Sequence, residues 1–248
     1  MAPAATEALI VVAHPDDEVV GFAAGLQEWP TAHLAFLTDG APRDPAYFST
    51  PSASREAYAA RRRAEALAAA ARLGVGSAAV HFFAAVDMES YRDLPRLERE
   101  LTALAADQRP GVIWSPAYDG GHPDHDVAAY LAARLARRCA AAHFQFALYC
   151  DRDGLEPFTF AAGEAGVERR LSPSQEVFKR GLIAVYASQA AVLGQFACDR
   201  ERYREAWPHD FGVRPGPAPT LYERWGWPVR AEALIDAFAA LEAGCACC

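Results

Sequence analysis

Two short segments of the sequence carry side chains that suit metal-assisted hydrolysis. They read AHPDDE at positions 13–18 and HPDHD at positions 122–126, and both contain His-Pro-Asp. Two imidazoles and one carboxylate form a ligand set that leaves positions on a metal open for water and substrate. Zinc in such a site lowers the pKa of its water from about 15.7 to about 7, which supplies a hydroxide nucleophile at neutral pH. Together, the segments predict a hydrolytic metal centre.

The other carboxylates and imidazoles of the two segments suit further roles in hydrolysis. Asp16 lies next to Asp17, and a spare carboxylate beside a metal can take a proton and return it to a leaving amine. His122 can stabilise a developing oxyanion or act as an acid. Asp124 can fix the tautomer of an imidazole ligand by accepting its hydrogen bond.

Either segment alone also has a structural explanation. An Asp-Asp-Glu run commonly begins a helix, and a single His-Pro-Asp can form a turn around a buried histidine. Two such segments, each directly after a predicted strand, are harder to explain by helix capping. The remaining histidines lie in apolar strands or in a loop rich in proline and aromatic residues, and we interpret all four as structural: His33, His81, His143 and His209.

The elements that must position the two segments alternate between strands and helices. Strands are predicted over 8–13, 32–38, 78–83, 111–116 and 143–150, and helices over 17–28, from Ser52 or Ser54 to about Leu73, 94–107 and 124–138. This alternation indicates a Rossmann-like α/β fold, with a mostly parallel sheet and helices on both faces. Ligands bind such sheets at the carboxyl ends of the strands, where both segments lie.

The last third of the sequence has a less regular pattern. Short strands are predicted at FTFAA and VERRL, and helices at SQEVFKRGLIAVYA and EALIDAFAALEA. The segments 39–53 and 207–228 are expected to be ordered loops. Because no linker composition separates this part, residues 1–248 are predicted to form one domain, with irregular substrate-side additions from about position 151.

Composition narrows the possible functions and locations. The 248 residues are 52% hydrophobic and 23% charged, which is typical of a globular protein. A net charge of -8 argues against binding to nucleic acid or to an anionic membrane. No run of 18 apolar residues and no basic N-terminal segment occur, so neither a membrane span nor a signal peptide is expected.

The six cysteines do not have the spacing of a disulfide framework. We therefore expect a reducing, cytoplasmic location. Three of the cysteines crowd the last four positions, at Cys245, Cys247 and Cys248. A soft-metal site or a disulfide is conceivable there, but we interpret this tail as a terminal appendage.

AHPDDE and HPDHD resemble the signature of the LmbE/PIG-L family of zinc-dependent N-deacetylases, which act on N-acetylglucosaminyl conjugates and related amides. The resemblance covers most of the chain, with family-like LTDG at 37–40, RRRAEALAAAARLGV at 61–75, VD at 86–87 and KRGLIAVYASQ at 179–189. It implies an LmbE-like fold, one zinc ion per chain and a small N-acylated substrate such as a glycoconjugate. Acetyl is the acyl group expected from the resemblance, and a longer chain stays open.

The resemblance also implies a role for each residue of the two segments. His14, Asp17 and His125 would bind zinc. Asp16 would be the general base, and His122 would lie near the oxyanion or the leaving group. These roles agree with those expected from the chemistry of the side chains.

Three further residues are candidates for contact with the substrate. Arg62 and Asp87 correspond to a family arginine and a family carboxylate, and Arg43 lies in the loop after LTDG. The chain departs from the family at Gly120, where some members have a tyrosine. Tyr118 is the nearest residue that could replace it.

Two other functions are compatible with the same residues. Two histidines and one carboxylate also suit a non-haem Fe(II) enzyme, although such enzymes usually have β-barrel folds. A non-catalytic module that binds a metal or a sugar is the second alternative. Asp16 argues against it, because a module that only binds has no use for a base beside the metal.

Overall fold

The computed structural model describes residues 7–29, 31–151, 155–161 and 166–245. The strands are β1 (Ala8–Val12), β2 (His33–Pro42), β3 (Val80–Asp87), β4 (Val112–Pro116), β5 (Ala142–Phe146), β6 (Tyr149–Asp151), β7 (Leu155–Pro157), β8 (Val167–Arg170) and β9 (Arg200–Glu205). The α-helices are α1 (Asp17–Leu26), α2 (Arg55–Arg72), α3 (Leu94–Gln108), α4 (Pro123–Cys139), α5 (Pro173–Ile183), α6 (Ala190–Leu193), α7 (Leu221–Arg224) and α8 (Ala231–Cys245).

Seven strands form the central sheet, in the order β3-β2-β1-β4-β5-β9-β8. The first five of these pair in parallel, whereas β9 pairs antiparallel with β5 and with β8. The chain runs outward from β1 to β2 and β3, then returns to place β4 on the other side of β1. The two central strands therefore flank a switch point, which is where open α/β sheets bind ligands.

The strand β1 is buried on both faces because helices cover both sides of the sheet. Ile10 and Val12 pack into a core cluster with apolar residues of α1, α2 and α5. Leu9 and Val11 pack into a second cluster with residues of α3, α4 and α8. A strand covered in this way needs a continuous apolar run, which ALIVV provides. The predicted fold class is confirmed.

A buried ion pair connects the antiparallel edge of the sheet to α1. This helix kinks at Phe22, where φ is -146°. Beyond the kink, the Glu201 carboxylate of β9 accepts hydrogen bonds from the N–H groups of Ala24 and Gly25, at 2.8 and 3.2 Å. The Nζ of Lys179, the only lysine of the chain, lies 3.3 Å from Oε1 of Glu201, and both side chains are fully buried. The pair thus holds the helix that follows the first His-Pro-Asp segment.

Several element predictions need correction. The described part of FTFAA, residues 158–161, forms no strand, because Phe158 has a φ of 55° and turns the chain, while Phe160 is buried. The predicted strand 143–150 is divided between β5 and β6, and β2 extends into the predicted loop 39–53 as far as Pro42. The loop 207–228 contains the short helix α7, and β9, with the sequence RERYRE, has no apolar run that would have predicted it.

The ends of the long helix α2 match the sequence signals. Ser54, rather than Ser52, is its N-cap, and its side chain accepts a hydrogen bond from the N–H of Ala57 at 3.1 Å. Among the described residues, no helix combines the length and apolar character needed to cross a membrane. The predicted terminal cysteine cluster lies outside the described residues, apart from the backbone of Cys245 at the end of α8.

Candidate functional site

The two His-Pro-Asp segments meet at the carboxyl ends of β1 and β4. AHPDDE follows β1 and leads into α1, while HPDHD forms the first turn of α4, after β4. A cavity of about 290 Å³ opens between them. Its lining includes seven of the residues singled out in the sequence: His14, Asp16, Asp17, Arg62, Asp87, His122 and His125.

Asp17 is fixed by the backbone of its own segment. Its Oδ2 accepts hydrogen bonds from the N–H groups of Ala13 and His14, at 3.1 and 2.9 Å. Its Oδ1 lies 3.1 Å from Nε2 of His125. Although burial opposes ionisation, His125 and His14 hold the pKa of Asp17 well below its usual range. Asp17 is therefore a carboxylate with Oδ1 directed at an imidazole from the other segment.

The ring of His14 lies among three carboxylates. Its Nε2 lies 3.1 Å from Oδ1 of Asp87 and 3.3 Å from Oδ2 of Asp124, while Nδ1 lies 3.5 Å from Oδ2 of Asp17. Burial opposes the charged imidazolium, but Asp87 and Asp17 raise the pKa of His14 well above its usual value. The same surplus of buried negative charge would attract a metal cation.

Asp124 is fully buried and held by several hydrogen bonds. Its oxygens accept from the N–H of Met88 at 2.6 Å, and from the N–H and Oγ of Ser90 at 3.2 and 2.5 Å. This fixed carboxylate faces Nε2 of His14, so it favours a proton on Nε2 and an electron pair on Nδ1. The expected role of Asp124 in fixing a tautomer has a geometric basis here.

His122 is the N-cap of α4, and its Nδ1 accepts a hydrogen bond from the N–H of Asp124 at 3.1 Å. Because Nδ1 is the acceptor, the neutral ring carries its proton on Nε2, which lies 3.8 Å from Oδ1 of Asp87. Burial and the neighbouring His14 charge lower the pKa of His122 well below its usual value. His122 thus presents a neutral N–H donor at the cavity.

Asp16 occupies a strained backbone position and forms an ion pair. Its backbone φ is 132°, a value that residues other than glycine rarely adopt. Nη1 of Arg62 donates a hydrogen bond to Oδ2 of Asp16 at 3.0 Å, and both side chains are buried. Burial raises the pKa of Asp16 to about 6, against the opposing effect of Arg62. Arg62, expected to touch the substrate, therefore contacts the predicted base.

The buried histidines and aspartates of this site fit a divalent metal. Among the described residues, two groups have potential ligand atoms within 4.8 Å of one another: His14, His122 and His125, and His14, Asp87, His122 and Asp124. Neither group contains Asp17, whose Oδ2 lies 3.5 Å from Nδ1 of His14 and whose Oδ1 lies 3.1 Å from Nε2 of His125. A carboxylate and two imidazoles form a ligand set that zinc accepts, so Asp17 is a further candidate ligand beside the two histidines.

Two residues considered in the sequence lie elsewhere. Arg43 is on the surface, where its Nε and Nη2 donate to the carboxylate of Glu89, each at 2.9 Å. Tyr118 donates its hydroxyl to the carbonyl oxygen of Val213 at 2.9 Å and packs against Phe211. Tyr118 therefore does not take the place of the tyrosine that is missing at Gly120.

Other side chains line the site without any signal in the sequence. The Tyr149 ring lies 5.3 Å from the ring of His125, and the Trp227 ring lies 5.0 Å from that of His122. Tyr149 is the first residue of β6, within the predicted strand 143–150, and Trp227 lies in the loop 207–228. Neither residue belongs to a His-Pro-Asp segment. The four histidines interpreted as structural all lie outside the cavity lining: His33, His81, His143 and His209.

Solved structures with this fold include enzymes with different activities. A deacetylase of the teicoplanin biosynthetic pathway is 20% identical over 77% of this chain and 85% of its own, with a TM-score of 0.61. The N,N'-diacetylchitobiose deacetylase from Pyrococcus horikoshii is 19% identical over 80% and 83%, with a TM-score of 0.58. The 4-carboxy-2-hydroxymuconate hydratase from Pseudomonas putida KT2440 is 20% identical over 76% and 82%, with a TM-score of 0.56.

At these identities, the likeness establishes the fold alone. No curated protein matches the sequence of this chain. The family model for PIG-L, described as GlcNAc-PI de-N-acetylase, matches residues 9–136. This match covers more than half of the chain and includes both His-Pro-Asp segments. The chain belongs to the PIG-L family.

Proposed function

We propose that this protein is a zinc-dependent amidohydrolase that removes an N-acyl group from an amino sugar or a related small amide. One observation carries the proposal: a buried carboxylate, Asp16, lies beside a group of histidines and aspartates that suits a divalent metal. Membership of a family described by a de-N-acetylase supports the reaction class. The amino sugar rests on that family description and on the named deacetylases.

His14, Asp17 and His125 are the residues that would hold the zinc ion. The ion would supply a Lewis acid for the acyl carbonyl and lower the pKa of a water molecule to about 7. His14 offers Nδ1, because its Nε2 faces two carboxylates. Asp17 offers Oδ1, because its Oδ2 accepts two backbone hydrogen bonds.

Asp16 would move the protons of the reaction. Its Oδ2 is held by Arg62, so Oδ1 is the oxygen that would take a proton from the attacking water. The same carboxylic acid would then protonate the amine as the C–N bond breaks. The buried ion pair keeps this carboxylate in one orientation throughout both steps.

His122 would stabilise the negative charge that develops on the carbonyl oxygen. Its Nδ1 is already an acceptor for a backbone N–H, which leaves Nε2–H as a donor toward the cavity. A donor fixed before the reaction stabilises the oxyanion without reorganising during it. Asp124 supports this arrangement by holding the neighbouring ring of His14.

The fold by itself does not select hydrolysis, since a hydratase shares it. The direct test is to incubate zinc-loaded protein with a panel of N-acetylated amines and to measure free primary amine and acetate together. Equal amounts of both products are expected. Metal analysis, with activity measured after zinc loading and after iron loading, tests the Fe(II) alternative. Oxygen consumption coupled to turnover would support that alternative and contradict hydrolysis.

A non-catalytic module would release neither product under any metal loading. If the protein is such a module, its wild-type form and its Asp16→Asn variant would bind an N-acylated sugar with equal affinity. That pair of results would overturn the proposal. Location in the cytoplasm and the single-domain organisation over residues 1–248 stay predictions.

A further inference from the structure

One wall of the cavity is apolar, and we refer to it as the apolar arm. It consists of Val20, Leu148, Tyr149, Val192, Leu193 and Phe196. None of these side chains carries a charge. The charged side chains of the cavity belong instead to the two His-Pro-Asp segments, Arg62 and Asp87. Gln189 and Gln195, from the same segment as Val192 and Leu193, and the Tyr149 hydroxyl add uncharged polar groups to the lining. The cavity therefore joins a charged part to a mostly apolar part, which calls for a ligand with the same division.

The apolar arm begins beside the residues assigned to the reaction. Val20 lies one helical turn after Asp16, and its N–H donates to the Asp16 carbonyl oxygen at 3.0 Å. On the other flank, the Tyr149 ring lies 5.3 Å from the ring of His125. A group attached to the reacting carbonyl carbon therefore meets apolar side chains at once.

From there, the apolar arm extends between the protein core and the surface. Val20, Leu148, Leu193 and Phe196 are buried members of one core cluster. At the other end, Val192 is 40% exposed. Trp225, which also lines the cavity, is 45% exposed. Exposed apolar side chains that continue a cavity wall out to solvent commonly mark a ligand site.

We propose that the apolar arm binds the alkyl chain of an N-acyl group longer than acetyl. This inference rests on the proposed function and specifies its substrate class, an N-acylated amino sugar with a straight acyl chain. An acetyl methyl group would reach only the start of the arm, beside Val20. The amine portion of the substrate would occupy the charged part, where Arg62 and Asp87 can bond to hydroxyl groups.

The first test measures kcat/KM for glucosamine carrying N-acetyl, N-butanoyl, N-hexanoyl and N-octanoyl groups. A methylene that is fully buried contributes up to about fourfold in affinity. With partial burial, we expect kcat/KM to rise roughly tenfold or more between the acetyl and hexanoyl substrates. A value that stays level or falls beyond acetyl would overturn the inference.

A pair of variants tests whether the chain lies in the apolar arm. Val192→Trp places a large ring at the mouth of the arm, so the ratio of hexanoyl to acetyl kcat/KM should fall about tenfold. Val177→Trp is the matched control, since Val177 is 71% exposed on α5 and lies outside the cavity lining. An equal ratio in wild type and Val192→Trp would contradict the inference.

Two further measurements separate this inference from the proposed function. Calorimetry of N-hexanoyl- and N-acetylglucosamine binding to the Asp16→Asn variant needs no turnover, and the hexanoyl compound should bind more tightly. If no substrate releases amine and the two compounds bind with equal affinity, the proposed function and the apolar arm inference both fail. If only the N-acetyl substrate is hydrolysed, the function stands and the apolar arm inference fails. Octyl N-acetylglucosaminide carries its alkyl chain on the sugar, the amine part of the substrate, rather than on the acyl group. If kcat/KM rises with this compound and not with the longer acyl groups, the apolar arm inference is overturned.

Discussion

The first half of the chain and the part beyond residue 147 contribute different parts of the same cavity. Every proposed zinc ligand and the proposed base lie between β1 and the first turn of α4, within the segment that matches the family model. Five of the six residues of the apolar arm come from residues 148–196, beyond that match. The strand ends position the groups that we propose for the reaction, while β6, α6 and the segments beside them shape the space around those groups. Chemistry and substrate selection can therefore change independently within this fold.

Removing the metal should have the largest effect, because it tests the role of the first region directly. Chelated protein should release no amine from N-acylated sugars, and zinc should restore release. Zinc at about 100 times its Kd should also stabilise the wild-type fold by about 2.7 kcal/mol, which is measured as a rise in Tm. Asp17→Asn should lose most of that rise. An equal rise in this variant would place the metal on other ligands.

Asp16→Asn should lower kcat by about 10²- to 10⁴-fold, since the amide cannot accept and return the proton. Binding of an N-acylated sugar should change little, whereas the Tm should fall, because the buried Arg62 guanidinium loses its anionic partner. Asp236→Asn, at an exposed position on α8, is the matched control and should retain wild-type kcat. A kcat within about threefold of wild type for Asp16→Asn would transfer the proton steps to another group, with His122 the nearest candidate.

The contact between the two regions can be tested through Lys179. Lys179→Met leaves the Glu201 carboxylate buried without its cationic partner, which should lower the free energy of unfolding by about 3–5 kcal/mol. Chemical denaturation measures this change. Arg180→Met, at the next and exposed position, should shift it by less than about 0.5 kcal/mol. Equal effects of the two variants would mean that the ion pair does not connect α1 to the sheet edge.

Alanine substitutions at two glycines, Gly40 and Gly74, test how the orientation of Asp16 affects the reaction. Both substitutions should lower the free energy of unfolding only slightly. Gly40 and Gly74 both have positive φ, so alanine at either position should cost about 1–2 kcal/mol. At Gly40, the new Cβ would lie 2.6 Å from Nε of Arg62, whereas at Gly74 it would meet no atom within 4 Å.

Gly40→Ala should therefore displace the Arg62 guanidinium from Asp16 and lower kcat roughly 10- to 100-fold. Gly74→Ala should leave kcat unchanged despite a similar loss of stability. Stability is measured by thermal unfolding and kcat by amine release. If both variants retain full activity, the ion pair with Arg62 has no part in the proton steps.

The sequence predicted the regular elements of the first region well, for local reasons. Continuous apolar runs such as ALIVV identify strands that are buried on both faces. Ser54, one of the two predicted caps, precedes α2, and the helix ends at Arg72, one residue before the predicted end. The last third was predicted less well, because β9 is a charged segment whose pairing depends on β5 and β8 rather than on its own pattern.

Two arginines show where local sequence stops being informative. Arg43 and Arg62 were both candidates for substrate contact, Arg62 because it corresponds to a family arginine and Arg43 because it lies in the loop after LTDG. Arg62 lies on the buried face of α2 and reaches Asp16, whereas Arg43 pairs with Glu89 on the surface. Helix packing decides between them, and that packing involves residues far apart in the sequence.

By itself, the sequence determined the fold class and singled out the side chains that we propose for the reaction. Both follow from patterns within a few residues: apolar runs for the strands, and His-Pro-Asp at their ends. Only the tertiary structure decided which atoms face each other, such as Oδ1 of Asp17 and Nε2 of His125. It alone assembled the apolar arm from α1, the start of β6 and the segment around α6. Such contacts depend on chain segments more than 100 positions apart, whose proximity no local pattern encodes.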